Sequence, residues 1–143
     1  MAEKAKIKMD AETLKKLKGF SIATKAIPFT PNIKDIDPEF LPTVHIGPMS
    51  NTDAKKLKLM TVISYSGKTI TGKEASANND FLEKMTKQSV VGLDNLIDIS
   101  TGTVVPFQTQ KGQKYISDKL WEQLPILLKT LITNEIMAQN GLA

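Results

Sequence analysis

The segment Val90-Val-Gly-Leu-Asp-Asn-Leu-Ile-Asp98 leads through an Ile-Ser-Thr-Gly turn into Thr103-Val-Val-Pro-Phe107. Two apolar runs on either side of a glycine turn are typical of a short β-hairpin, and Gly102 can adopt the positive φ that such a turn needs. Pro106 cannot donate a hydrogen bond to a neighbouring strand, so we expect the second strand at an edge. This segment therefore predicts a small hairpin over residues 93–107.

The strongest amphipathic pattern in the chain follows the hairpin and begins at Ser117, a typical helix N-cap residue. One apolar line consists of Leu120, Leu124, Leu127 and Leu131, and an adjoining line consists of Trp121, Leu128 and Ile132. Pro125 interrupts the pattern because it lacks a backbone N–H and crowds the preceding turn. The helix must kink there, or break and restart with the proline in its first turn. We expect two helical pieces.

The first fifty residues carry a helix signal and then many prolines. Asp10 can cap a helix over residues 11–18, which a glycine follows. Residues 20–49 contain five prolines, so no long helix can form there and any strand is restricted to an edge. The sequence predicts a proline-rich arm with one or two short strands.

The middle of the chain predicts two more helices and a loop. Ser50 and Asp53 resemble a capping box, with apolar residues at helical spacing behind them, which predicts a helix over residues 51–64. Residues 66–79 are rich in Gly, Ser, Thr and Asn and predict a loop or an exposed hairpin. Asn79 is then expected to cap a further helix, which Gly92 closes.

Together these patterns predict a helix-rich α+β fold. A lysine-rich segment, residues 1–19, precedes a single α+β domain over residues 20–143, with the short hairpin and the proline-rich arm as its β elements. A chain of 143 residues is large enough for one hydrophobic core.

The charge composition argues against a reader of nucleic-acid sequence. All 19 basic residues are lysine, so the planar guanidinium that grips guanine edges and phosphates in bidentate fashion is absent. Residues 1–18 hold six lysines and three acids. This segment is expected to be a solvated tail, with a phosphate-binding arm as the alternative.

No feature predicts export or a membrane span. The longest apolar runs fall far short of the roughly 20 residues that a membrane helix needs. The N-terminus lacks the apolar block of a secretory signal. The absence of cysteine is neutral about the compartment, and we expect a cytoplasmic protein.

Three groups of residues suggest chemistry, and each has a simpler interpretation. Residues 67–73 match the Gly-x4-Gly-Lys part of a phosphate-binding loop, but Glu74 replaces the hydroxyl residue that would hold Mg²⁺. His45 is the only histidine and lies in an extended apolar run, which favours a structural, half-buried side chain. The acids Asp35, Asp37 and Glu39 alternate in a loop without the EF-hand pattern. We expect no enzyme activity, cofactor or metal site.

The apolar face of the C-terminal helix has two alternative roles, since Trp121 can anchor a core or an interface. Two adjoining apolar lines make a broad face, which leaves room for a partner or for self-association. The partner-binding residues proposed on this face are Trp121, Leu124, Leu128 and Ile132.

The segment from Val91 to Asp98, the Gly102 turn, Val105-Pro-Phe107 and a leucine-rich helix containing Leu-Pro resemble small tail-assembly proteins of tailed bacteriophages and prophages. Ile27-Pro-Phe29, Phe40 and Pro48-Met-Ser50 are similar to the upstream half of that family, and the resemblance covers about residues 27–137. Family members often carry Trp and Asn near positions 93 and 95, whereas this chain has Leu93 and Asn95.

The resemblance implies a non-enzymatic, often oligomeric chaperone that binds the tape-measure protein and tail-tube components during assembly. Asn95, Gly102 and Phe107 match the short motif, and we add Asn95 and Phe107 to the partner-binding candidates. Turn capping, positive φ and core packing are their structural alternatives. Two other functions stay open, a nucleic-acid-binding accessory protein that uses the lysine-rich N-terminus and another small virion subunit of a connector or capsid.

Overall fold

The computed structural model describes residues 10–17, 23–50, 52–57 and 72–140. In chain order these contain α1 (Ala11–Leu17), β1 (Ile27–Phe29), a 3-10 helix (Pro38–Phe40), β2 (Thr43–Ile46), α2 (52–57), α3 (Gly72–Ser89), β3 (Val90–Asp94), β4 (Ile97–Asp98), β5 (Thr103–Val104), α4 (Asp118–Gln123) and α5 (Ile126–Gln139). The fold is a small α+β domain with more helix than strand, which confirms the predicted fold class.

The larger sheet has three antiparallel strands in the order β1-β2-β3. Val44 and Ile46 of β2 point into the core, and Thr43 and His45 lie half-buried on the other face, as the two-residue period of a strand requires. Pro28 lies in β1, which is an edge strand of this sheet. The prediction of one or two short strands in the proline-rich arm is therefore confirmed. The prediction that any such strand lies at an edge is wrong for β2, which is the central strand and contains no proline.

A bulge between β2 and β3 changes which residues of β3 face the core. Val44 pairs with Leu93 and His45 pairs with Gly92, but Ile46 pairs with Val90, so β3 carries one extra residue. This extra residue lets Val90 and Leu93, three positions apart, both be buried. The prediction that Gly92 closes a helix is wrong, because the helix ends at Ser89 and Gly92 lies inside the strand.

The first two predicted helix starts are confirmed. The Thr13 amide donates to Asp10 Oδ1 at 2.8 Å in front of α1. The Asp53 amide donates to Ser50 Oγ at 3.2 Å at the start of α2. The part of this second helix predicted beyond residue 57 lies outside the described residues.

Helix α3 begins earlier than predicted. Residues 72–79, expected to be loop or hairpin with Asn79 as a cap, are helical. They carry few large apolar residues and show no helical period, but Ala75 and Ala77 are strong helix formers. The second half of α3, which holds the buried Met85 and Thr86, packs against α5 and β3. This packing supports the preceding helical turns. The first part of the predicted loop, residues 66–71, lies outside the described residues.

The C-terminal helical region consists of two pieces, as predicted. The Leu120 amide donates to Ser117 Oγ at 3.2 Å and so starts α4. The chain is extended at Leu124 and Pro125 before α5 begins, so the helix breaks at the proline and does not merely kink. The break changes the phase of the apolar pattern, and Leu127 is exposed, although the sequence places it in line with Leu124.

The predicted hairpin is present but shorter. Strands β4 and β5 pair Ile97 with Val104 and Asp98 with Thr103, and Gly102 has φ +71°. Leu93, which the sequence placed in the first hairpin strand, lies in β3 of the larger sheet.

The core lies between the larger sheet and the C-terminal helices. It is a cluster of buried apolar residues formed by Val44, Ile46, Val90, Leu93, Ile116, Leu120, Trp121, Leu124, Leu128, Ile132 and Ile136. Helix α3 packs against α5, where the Thr86 and Thr133 hydroxyls lie 3.1 Å apart.

Candidate protein-interaction surface

The four helix residues proposed for partner binding all lie in the core. Trp121 is 3% exposed, and Leu124, Leu128 and Ile132 are also buried. The indole N–H of Trp121 donates to Glu83 Oε1 at 3.1 Å, and the Lys129 ammonium lies 4.9 Å from the centre of the indole ring. Of the two roles that the sequence left open for Trp121, the structure has the core anchor. These side chains are not available to a partner in this conformation.

Asn95 and Phe107 have the structural roles named as their alternatives. Asn95 has φ +61° in the turn between β3 and β4, and its side-chain amide donates to the Glu39 carbonyl at 2.7 Å and to the Leu41 carbonyl at 3.1 Å. Asparagine tolerates this left-handed conformation better than most residues. Phe107 is half-buried and packs against the core cluster.

Other large apolar side chains remain on the surface of the described residues. Their exposed fractions are 44% for Ile36, 61% for Phe40, 96% for Ile99, 57% for Val104, 82% for Ile126 and 65% for Leu127. Ile126 and Leu127 lie in the first turn of α5, and Ile99 and Val104 belong to the β4–β5 hairpin. Ile36 precedes the 3-10 helix, and Phe40 is its last residue. These six residues form the candidate interaction surfaces in place of the Trp121 face.

The hairpin holds Ile99 in a turn that is fixed by hydrogen bonds. Asp98 Oδ1 accepts from the Ser100 hydroxyl at 2.5 Å and from the Ser100 amide at 2.9 Å. These two hydrogen bonds lower the pKa of Asp98 below its ordinary value, since they stabilise the carboxylate form. Thr101 and Thr103 join their hydroxyls across the turn at 2.7 Å. Ile99 thus projects from an ordered support.

His45 joins strands β2 and β3 on the sheet face opposite the core. Its Nε2 lies 2.6 Å from Asp94 Oδ2, and both side chains are reachable from solvent. The ring lies over Gly92, where an added Cβ would approach His45 Cδ2 to 2.8 Å. This is the half-buried structural histidine that the sequence favours, but the sequence does not indicate its carboxylate partner.

A shallow depression of about 260 Å³ lies between α3 and α4, with Asp80, Glu83, Lys84, Lys87, Asp118, Trp121 and Glu122 along its walls. Several of its charged groups already have protein partners. Lys87 forms an ion pair with Asp118 and lies over the Tyr115 ring, while Glu83 accepts from Trp121. The side chains along the depression therefore connect α3 to α4.

The acids of the predicted loop have local roles. Asp35 has φ +67°, and Asp37 Oδ1 accepts from the Glu39 amide at 3.0 Å, which caps the 3-10 helix. No group of three or more potential ligands that could hold a metal ion occurs among the described residues. Most of the glycine–lysine loop at residues 67–73 lies outside the described part of the chain.

The sequence reasoning did not find the exposed apolar residues, although one signal was available. Four of the six lie in two stretches without lysine, residues 35–54 and 88–110, in a chain where lysine is otherwise frequent. The exposure of Ile126 and Leu127 follows only if the helix breaks at Pro125 and α5 begins a new helical phase after it.

Within the described ranges, no helix combines the length and apolar character required to cross a membrane. Comparisons of the chain with models of protein families, with curated proteins and with solved structures find no significant match.

Proposed function

We propose that this protein is a non-enzymatic assembly chaperone of the phage or prophage tail type, which acts in the bacterial cytoplasm through protein–protein contacts. Its partners would be the tape-measure protein and other tail proteins, and it could itself form an oligomer. The resemblance of residues 27–137 to tail-assembly proteins supports the family. The large apolar side chains exposed on ordered elements support the mode of action.

The observation that carries the proposal is the exposure of Ile99 and Ile126 on ordered elements, the hairpin turn and helix α5. Full burial of a large apolar side chain contributes about 1.5–3 kcal/mol. A few such side chains can cover apolar segments of a long, aggregation-prone partner until assembly displaces the chaperone. Since a chaperone must release its partner, we expect moderate affinity, with contacts on the exposed residues and not on the Trp121 face.

The test is co-expression of the full chain with the proteins encoded on either side of its gene, followed by affinity capture. We expect recovery of a long helical tape-measure protein, and we expect it to persist after nuclease treatment and in high salt. If none of the tail proteins is captured, or if capture requires nucleic acid, the proposal is overturned.

A matched pair of variants separates a specific surface from general stickiness. One chain carries Phe40→Ser, Ile99→Ser, Ile126→Ser and Leu127→Ser, and we expect it to lose capture. The control carries Lys111→Ser and Lys114→Ser, which also change exposed residues but remove no large apolar side chain. Equal capture by both chains would show that the exposed apolar side chains are not the binding groups.

A further inference from the structure

Two stretches of the chain contain no lysine, although the chain has 19. Residues 35–54 and residues 88–110 together hold six acids and no lysine, which leaves nineteen lysines and nine acids for the rest of the chain. Four of the six exposed large apolar side chains, Ile36, Phe40, Ile99 and Val104, belong to these same stretches. Negative charge and exposed apolar surface therefore occur together.

The fold brings the two stretches side by side. Strand β2 pairs with β3, and the Asn95 side chain donates to the carbonyls of both neighbours of Phe40. Ile99 lies four residues beyond Asn95, so their Cα atoms are at most about 14 Å apart. We call residues 35–41 and 94–104 together the acidic apolar edge.

The carboxylates of this edge are open to an outside cation. Asp94 pairs with His45, but Asp35, Asp37, Glu39 and Asp98 have no lysine within 4.0 Å among the described residues. Asp37 accepts from the Glu39 amide, and Asp98 accepts from the hydroxyl and the amide of Ser100. A partner that brings positive charge would therefore not have to displace an existing ion pair.

The edge is also fixed in shape before any partner arrives. Asp37 caps the 3-10 helix, Asn95 joins the 35–41 loop to the β3–β4 turn, and Asp98 holds the hairpin turn. A surface that is already ordered loses little conformational entropy on binding.

We propose that the acidic apolar edge binds a basic amphipathic segment of a partner polypeptide, which combines lysine or arginine with large apolar side chains. This inference rests on the proposed function and names the chemistry of the partner segment. A twelve-residue helix is about 18 Å long, which exceeds the upper limit of about 14 Å between the Cα atoms of Asn95 and Ile99. Pairing of two copies through this edge is disfavoured, because it would bring like charges together.

The test selects ligands from a displayed library of random twelve-residue peptides, using the immobilised full chain. The binding of a synthetic consensus peptide is then measured by fluorescence anisotropy at two salt concentrations. We expect selected peptides to be rich in Lys or Arg and large apolar residues. Peptides of zero or negative net charge, or a selection that yields no binder, would overturn the inference.

Three variants locate the binding site. Phe40→Ser with Ile99→Ser should weaken binding of the consensus peptide at least tenfold. Asp35→Asn with Glu39→Gln should weaken it about threefold and reduce its salt dependence, because charge attraction between exposed groups is screened by salt. The matched control, Ile126→Ser with Leu127→Ser, removes exposed apolar surface elsewhere and should change binding less than twofold. An equal loss in the control would refute the assignment to the edge.

Two further outcomes count against the inference. Sedimentation that shows the chain pairing with a second copy, abolished by Ile99→Ser, would assign the edge to self-association. If a tail protein is captured equally by wild type and by the Phe40→Ser and Ile99→Ser variant, the proposed function stands and this inference falls. If selected peptides bind the edge but no tail protein is captured, the edge is correct and the proposed function falls.

Discussion

Replacement of Gly92 by alanine should destabilise the fold through a single steric contact. Gly92 does not have a positive φ, so its backbone conformation is open to alanine. An added Cβ would, however, lie 2.8 Å from His45 Cδ2 and 3.0 Å from both His45 Cβ and Cγ. Facing Cβ atoms in antiparallel strands are normally about 4.5–5.5 Å apart. The strands must therefore separate, or the histidine must move.

The magnitude follows from two opposing effects. Gly→Ala at a permitted backbone position stabilises by about 0.4–1 kcal/mol, because it restricts the unfolded chain. Forcing an extra carbon into a packed site costs about 1–3 kcal/mol. We expect a net loss of about 1–2 kcal/mol in the free energy of unfolding, measured by urea denaturation. For a chain of this size each kcal/mol corresponds to a fall of roughly 3 °C in Tm.

Two companion variants test the steric reasoning. Gly102 has φ +71°, and no atom lies within 4 Å of a Cβ added there. The stability lost in Gly102→Ala should therefore come from backbone strain alone. His45→Ala removes the ring atoms, and in the Gly92→Ala background it should restore part of the lost stability. In the Gly102→Ala background the same change should be additive, because the sites share no contact. A fully stable Gly92→Ala protein, or the same coupling at both glycines, would refute the reasoning.

The other predictions concern the Asn95 turn, the core and the hairpin. Asn95→Gly should lower the free energy of unfolding by about 1–2 kcal/mol, because two hydrogen bonds are lost. Asn95→Ala should lower it by about 1 kcal/mol more, because residue 95 has a positive φ. Equal stability of Asn95→Gly and wild type would contradict this prediction. Ile132→Ala should cost about 2–5 kcal/mol in urea denaturation, whereas the exposed Ile126→Ala should stay within about 0.5 kcal/mol, and similar losses would be the contrary result. Because the folded pKa of Asp98 is lowered, its stabilising hydrogen bonds persist above its unfolded pKa of about 3.9 and are lost as the pH falls through the folded value. In wild type the NMR shift of the Ser100 amide should titrate with a midpoint below that value. In Ser100→Ala the midpoint, read from the amide of residue 100, should rise toward that value. A wild-type midpoint at or above it would refute the assignment.

Local sequence signals identified most of the elements. Asp10, Ser50 and Ser117 cap helices as predicted, since capping depends only on residues within one turn. Pro125 separates α4 from α5 for the same reason, because its effect on the backbone is covalent.

Long-range features could not be predicted in the same way. The bulge at Val91 exists because β2 dictates the pairing of β3, and no alternation in residues 90–94 indicates it. The His45–Asp94 pair joins residues 49 positions apart and depends on that same register. The early start of α3 was missed because residues 72–79 are helical without an apolar stripe.

The partner-binding candidates show how far a pattern can be taken. The apolar stripe identified Trp121 and Ile132 as important, but a stripe does not distinguish a face that covers the core from one that covers a partner. That distinction depends on what other elements supply, and here β2, β3 and Ile116 complete the cluster around the helices. The stripe therefore predicted the core, and a surface for a partner would have to lie among residues outside it.

Stability and binding should consequently be separable in this protein. A side chain as exposed as Ile99 gains almost nothing from burial when the chain folds, and its turn is held by Asp98, Ser100 and Gly102. Ile99→Ser should leave the free energy of unfolding nearly unchanged, while it weakens the binding of any partner that covers this position. Substitution of a core residue such as Ile132 should do the reverse, since it lowers stability and affects binding only through the folded fraction. Agreement of the two measurements for Ile99, with both changed or neither changed, would mean that this side chain is not a contact reserved for a partner.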